Sequence, residues 1–163
     1  MPTDPAADPD LTRILDFLRG IGIAVSIGEV ADGFLPGIAI RRGGIFYDPA
    51  RLTWPGDLLH EAGHIAVTEP ALRPTLDAVP DQPGEEMATI AWSYAAALAC
   101  GYDTAKVFHA GGYRGGGGWI ADVFAQGGTL GQPLLQWYGM TIDARTAETT
   151  GGTPYPHMIR WLR

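Results

Sequence analysis

Two histidines and a glutamate in this chain have the spacing of a metal site. The stretch 56–67 reads GDLLHEAGHIAV and holds two of the four histidines, His60 and His64, with Glu61 directly after the first. Residues four apart in an α-helix lie one above the other on one face, so both imidazoles can bind one tetrahedral Zn²⁺. The His-Glu-x-x-His spacing also puts the glutamate beside the open position of the metal. It therefore predicts His60 and His64 as zinc ligands and Glu61 as the general base that takes a proton from water.

The residues around the motif predict the helix that carries it. Pro55 and Asp57 suit the first turn of a helix. Four apolar residues fall on the face opposite the histidines: Leu58, Ala62, Ile65 and Ala66. The alternative is an ordinary helix with two hydrogen-bonded histidines and a solvated acid. The helix phase, the entry signals and two acids further along the chain all favour the metal site.

Composition limits the class of protein. The chain has 163 residues, 46% of them hydrophobic and 18% charged, which fits one compact domain over 1–163. A formal charge of -7 without a lysine or arginine block argues against nucleic acid or an anionic membrane as a partner. The one cysteine, Cys100, lies in an apolar run and is predicted to be a buried thiol.

The amino terminus and the apolar runs predict a cytoplasmic protein. Residues 1–8 contain acids and prolines where a secretory signal would have basic and then apolar residues, and we expect this segment to be flexible. The longest apolar run, 87–100, is too short to cross a bilayer and is predicted to be a buried helix.

The positions of Gly, Pro and Asp as turn and cap residues predict an α+β fold. A first helix over 9–20 has Asp8 as N-cap. Short apolar runs over 23–30, 34–41 and 44–47, separated by the turn signals Asp32-Gly33 and Gly43-Gly44, predict a small antiparallel sheet of about three strands. This sheet should pack against the motif helix and a second core helix over 84–101, reached through a proline-rich loop.

The remaining third of the chain, 102–163, is predicted to be a mostly helical, loop-rich extension that packs on the core. Short helices are expected over 103–108, 120–125 and 134–138, with irregular structure over 109–119 and a turn-rich segment over 141–153. The tail over 155–163 is too apolar to be simple disorder and should dock on the domain.

A zinc ion needs a third protein ligand besides the two histidines. The candidates are Glu85, Glu86, His109 and His157. Acids at the start of a helix are also favoured by the helix dipole, so one member of the Glu85-Glu86 pair needs no other role. We favour Glu86, because Glu85 lies nearer to the frayed first turn of the helix.

The motif His60-Glu61-Ala62-Gly63-His64, followed by a helix that opens with Glu85-Glu86-Met87-Ala88, resembles the gluzincins and, among them, the small ImmA/IrrE-like metallopeptidase domains. The resemblance covers about residues 9–101. It implies a zincin-like fold, zinc bound by His60, His64 and Glu86, Glu61 as general base, and a peptide or protein substrate. The longer metzincin pattern is absent, because 67–83 contains no histidine.

The leading interpretation is a zinc-dependent hydrolase, most simply a peptidase. An oxyanion formed in the reaction needs a further donor, for which Tyr155, His157, Tyr113 and Arg114 are candidates. The alternative is a catalytically inactive zincin-like domain that binds a protein or peptide. A fourth protein ligand from His109 or His157 would favour that alternative, because structural zinc sites are closed by four protein ligands.

Overall fold

The computed structural model describes residues 8–31, 35–112 and 115–163. Within these ranges the chain is α+β, with seven α-helices and one three-stranded sheet. The elements in order are α1 (Pro9–Gly20), β1 (Val25–Ile27), β2 (Ile38–Arg41), β3 (Gly44–Tyr47), α2 (Asp57–Val67), a 3-10 turn (Arg73–Thr75), α3 (Pro83–Cys100), α4 (Thr104–Val107), α5 (Gly117–Ala125), α6 (Gln132–Trp137) and α7 (Ala144–Thr150). The predicted turn signal at 32–33 and the predicted strand start at 34 lie outside the described residues.

The prediction of an antiparallel sheet is wrong for one of its two strand pairs. β2 and β3 form the expected antiparallel hairpin, with Arg42 and Gly43 at positive φ in the turn. β1, however, pairs in parallel with β3, which gives the mixed order β1-β3-β2. β3 contributes the buried Ile45 and Tyr47, and the central position buries this apolar strand best. β1 and β2 therefore lie on opposite sides of β3.

The motif helix α2 lies at the centre of the core and packs mainly on α3. Every residue of α2 except His60 is buried. Gly63 makes close contact with α3 possible, because a Cβ there would lie 2.8 Å from Thr89 Cγ2 and 3.2 Å from Trp92 Cε3. The glycine of the motif therefore lets α3 bring its side chains up to the histidines.

The C-terminal part matches the prediction in outline and differs in two helices. α4 is capped by Asp103, whose side chain accepts from the Ala105 N–H. α5 begins at Gly117, inside the segment predicted to be irregular. α7 lies inside the segment predicted to be only turns, and it has an Asp143 N-cap and a left-handed Gly151 at its end. The sequence contains both the Asp143 N-cap and the terminal Gly151, but the polar composition of α7 led to the prediction of turns.

The tail docks on the core, as predicted. The Trp92 Nε1 donates to the Trp161 carbonyl at 2.9 Å, and the Arg163 N–H donates to the Ala66 carbonyl at 2.9 Å. Arg73 Nε donates to the Ile65 carbonyl at 3.1 Å. The last carbonyls of α2 are thus satisfied by groups from outside the helix, which fixes its end. Among the described residues, none of the helices has the length and apolar character needed to cross a membrane.

Candidate metal centre

The two motif histidines meet at their Nε2 atoms. These atoms lie 3.1 Å apart, and the two rings are nearly perpendicular, with centroids 4.8 Å apart. His64 is almost fully buried and His60 is partly exposed. The i,i+4 spacing in α2 places the two side chains next to each other on one face of the helix. Their Nε2 atoms point toward the same place.

Glu86, from the first turn of α3, closes the group. Its Oε1 lies 3.3 Å from His60 Nε2, and its Oε2 lies 3.0 Å from His64 Nε2. Ligand atoms of a tetrahedral zinc ion at about 2.1 Å from the metal are separated by about 3.4 Å. The two imidazole nitrogens lie 3.1 Å apart, and the two oxygens of one carboxylate lie 3.3 and 3.0 Å from them, so the three side chains are close enough to hold one metal ion. Glu85, one residue earlier, is partly buried and points in another direction around the helix.

Glu61 lies beside this group and is shielded from water. The carboxylate of Glu61 and the ligand nitrogens of both histidines lie within 4.8 Å of one another, and Glu61 is 8% exposed. Burial raises the pKa of Glu61 to about 7, with His64 opposing the shift and the charges of Glu86 and Asp57 adding to it. A carboxyl group with a pKa near neutrality can both accept and return a proton at physiological pH.

Burial also keeps the imidazole of His60 neutral. It lowers the pKa of His60 to about 4, and the charge of His64 acts in the same direction while Glu86 opposes it. For Glu86, burial would raise the pKa, but the hydrogen bond with His64 and the charges of both histidines make the net shift a lowering. Neutral imidazole and ionised carboxylate are the forms that bind a metal ion.

A second acid–histidine cluster lies one turn earlier on α2. Asp57 Oδ1 lies 2.8 Å from His109 Nε2, and both side chains are buried. The indole of Trp54 stacks on the His109 ring at 4.3 Å with an interplanar angle of 11°. Gly111 and Gly112 also pack on the ring, where a Cβ would lie 3.3 Å from ring atoms. Burial raises the pKa of Asp57, although the hydrogen bond and charge of His109 oppose the shift.

In this cluster the structure pairs His109, one of the predicted candidate ligands, with Asp57. The nitrogen Nε2 is engaged by Asp57, and Nδ1 is buried without a hydrogen-bond partner among the described residues. His109 therefore forms a pair with Asp57, which is distinct from the group formed by His60, His64 and Glu86. Sequence reasoning missed Asp57 as a partner because the two residues are 52 positions apart in the chain.

Of the other predicted site residues, two form hydrogen bonds within the chain and two are not among the described residues. The Tyr155 hydroxyl donates to the Ala91 carbonyl at 3.0 Å, and burial raises the pKa of this phenol. His157 is exposed, and its carbonyl accepts a hydrogen bond from Thr141 Oγ1 at 2.7 Å. Tyr113 and Arg114 lie outside the described residues.

A residue that the sequence reasoning did not single out contacts the site. Thr89 is fully buried on α3, and its Oγ1 lies 3.3 Å from His64 Nδ1. The available signal was its position three residues after Glu86, because residues i and i+3 share a face of a helix.

Comparison of the chain with protein-family models, with curated proteins and with solved structures gave no match.

Proposed function

We propose that this protein is a zinc-dependent hydrolase and, within that class, a peptidase of the gluzincin type, similar to the small ImmA/IrrE-like domains. One observation carries the proposal. The Nε2 atoms of His60 and His64 lie 3.1 Å apart, and each faces a different oxygen of the Glu86 carboxylate, at 3.3 and 3.0 Å, with the buried Glu61 carboxyl beside them. Structural zinc sites are usually closed by four protein ligands, whereas three ligands with an adjacent acid are typical of catalytic ones.

The donor set fits zinc. Two imidazole nitrogens and a carboxylate oxygen are ligands that zinc takes in hydrolases. His60, His64 and Glu86 would hold the ion. Glu86 lies in the first turn of α3, and its side chain is 40% exposed. A zinc ion bound there supplies Lewis-acid chemistry, by which water is activated at neutral pH and a carbonyl group is polarised.

Glu61 acts as the proton carrier in this proposal. Its carboxylate accepts a proton from the attacking water and returns it to the leaving amine, which completes hydrolysis of an amide bond without net consumption of protons. Burial raises the pKa of Glu61 to about 7 in the metal-free protein, and a cation bound beside it would lower this pKa and favour the ionised form that accepts the first proton. Glu61 is buried on α2, and outside groups hold the carboxyl-terminal end of that helix, which restricts the movement of the Glu61 carboxyl.

The test of Glu61 separates metal binding from hydrolysis. Zinc-loaded wild-type protein and Glu61→Gln are incubated with a mixed peptide library, and new termini are identified by mass spectrometry. We expect about one zinc per chain in both proteins, and a loss of cleavage of about a hundredfold or more in Glu61→Gln. Equal cleavage by the two proteins would remove Glu61 as the base. Zinc binding without any cleavage by the wild type would favour the non-cleaving, peptide-binding alternative.

Glu85 offers a matched control for the third ligand. Glu86→Ala should weaken zinc binding strongly, because it removes a carboxylate that lies 3.0 and 3.3 Å from the two Nε2 atoms. Glu85→Ala removes the same charge from the adjacent position and should leave zinc affinity close to the wild-type value. A larger loss in Glu85→Ala would reverse the assignment.

A further inference from the structure

Thr89 contacts the far side of the His64 ring from the proposed metal position. The nitrogen Nε2 of His64 faces Glu86 and His60, whereas Nδ1 faces the Thr89 hydroxyl at 3.3 Å. Both His64 and Thr89 are buried, so bulk water does not compete for this contact. The two nitrogens of the imidazole are therefore each matched to a protein group.

The position of Thr89 is fixed by the packing of α3 on α2. Its Cγ2 occupies the space left by Gly63, where a Cβ would approach to 2.8 Å. Its carbonyl accepts a hydrogen bond from Ser93 Oγ at 2.7 Å. The side chain is thus held by its methyl group against α2, which leaves the hydroxyl directed at His64.

A hydroxyl suits a histidine that changes its protonated nitrogen. Without metal, an Nε2–H of His64 can donate to the Glu86 carboxylate, and Nδ1 then accepts from the Thr89 O–H. With metal, Nε2 offers its lone pair and the proton resides on Nδ1, which donates to Thr89 Oγ1. A threonine hydroxyl can donate in the first state and accept in the second, because it carries one proton and two lone pairs.

We propose that Thr89 is a positioning residue of the metal centre: its hydroxyl holds His64 Nδ1 in both the metal-free and the metal-bound state and so presents Nε2 to the ion. For the metal-bound state this inference rests on the proposed function. For the metal-free state it rests only on the contact between Thr89 and His64. Thr89 acts through His64 and is not itself a ligand.

Two variants test the role of the hydroxyl. Thr89→Val keeps the branched shape and removes the hydroxyl, and Thr89→Ser keeps the hydroxyl and removes the methyl group. Zinc affinity is measured by competition with a chelator, and thermal unfolding of the metal-free proteins is measured alongside. We expect zinc affinity to fall by about 10- to 100-fold in Thr89→Val and to fall clearly less in Thr89→Ser, which keeps the hydroxyl but loses the methyl group that helps to direct it. Equal affinity of Thr89→Val and wild type would overturn the proposal, as would an equal loss in both variants.

Nitrogen NMR of ¹⁵N-histidine protein provides the second readout, and it needs no activity. The chain has four histidines, which makes the assignment of His64 practicable. We expect the proton of His64 on Nε2 without metal and on Nδ1 with zinc, and a shifted Nδ1 signal in Thr89→Val in both states. An unchanged Nδ1 signal in metal-free Thr89→Val would contradict the inference. Failure of the wild type to bind zinc would contradict the proposed function, and the metal-free comparison would still decide on the contact.

Discussion

The two acid–histidine clusters along α2 contain the same residue types and differ in which atoms they leave available. In the first, the Nε2 atoms of His60 and His64 and the carboxylate of Glu86 converge within 3.3 Å. In the second, one carboxylate oxygen of Asp57 faces one nitrogen of His109 at 2.8 Å. Trp54 and two glycines cover the second ring, whereas Glu86 is 40% exposed.

This difference shows that the arrangement of lone pairs defines a metal site, and that the presence of acids and histidines alone does not. A one-to-one pair satisfies a single donor and acceptor and has a structural role in a buried setting. Lone pairs from three side chains that converge on one point can all be satisfied at once by a single cation. The clusters should therefore respond differently to the same substitution.

The largest expected difference concerns zinc affinity. His64→Ala removes one of three ligands and should weaken zinc binding on the order of a thousandfold. His109→Gln keeps a donor for Asp57 and should leave zinc binding unchanged, because His109 belongs to the other cluster. Isothermal titration with zinc measures both. Comparable losses in the two variants would show that the clusters form a single site.

The free energy of unfolding of the metal-free protein should depend more on the Asp57–His109 pair than on the group formed by His60, His64 and Glu86. His109→Ala leaves the buried Asp57 carboxylate without its partner, and we expect the free energy of unfolding of the metal-free protein to fall by about 3 kcal/mol. Asp57→Ala combined with His109→Ala should lose less than the sum of the single losses, because the two groups stabilise each other. Urea denaturation measures these values. Strict additivity would contradict a coupled pair.

Glu61 should destabilise the metal-free protein at high pH. Its pKa is raised to about 7 from 4.5, so the native state binds more protons than the unfolded state between these values and stability falls as pH rises. Metal-free Glu61→Gln should match the wild type near pH 4.5 and exceed it by about 2 to 3 kcal/mol at pH 8.

His60 does not confuse this comparison. Its pKa is lowered to about 4, so its contribution is lost as pH falls from 6.5 through 4, and it is present in both proteins. Urea denaturation at several pH values gives the difference between Glu61→Gln and wild type. A difference that stays constant with pH would show that the Glu61 carboxyl is not held neutral by burial.

The smallest expected effect concerns the approach of the two helices. Gly63→Ala places a Cβ 2.8 Å from Thr89 Cγ2, and we expect a loss of about 1 to 2 kcal/mol together with weaker zinc binding as α3 shifts. Gly84→Ala is the matched control, because a Cβ there meets nothing within 4 Å, and it should stabilise α3 slightly. Equal stability of Gly63→Ala and Gly84→Ala would contradict the close contact at Gly63.

The sequence predicts the parts of this molecule that depend on local signals. The bounds of α1 follow from Asp8 and Gly20, and the hairpin turn follows from Gly43. The motif helix follows from its apolar positions. The spacing of His60 and His64 predicts directly that their side chains lie on one face of the helix, because this depends only on the pitch of one helix.

The remaining features depend on contacts between distant segments. The central place of β3 follows from burial in the whole sheet, which no turn signal encodes. Glu85 and Glu86 differ by one residue, or about 100° of helix rotation, so only the packing of α3 on α2 distinguishes them. The pairing of Asp57 with His109 joins the motif helix to a glycine-rich loop, for which the sequence carries no periodic signal.

A zinc-loaded crystal structure with anomalous data collected at the zinc edge tests the central claim most directly. We expect one anomalous peak, bound by the Nε2 atoms of His60 and His64 and by the carboxylate of Glu86, with Asp57 and His109 still paired. No peak at this position, or a peak at the Asp57–His109 pair, would contradict it.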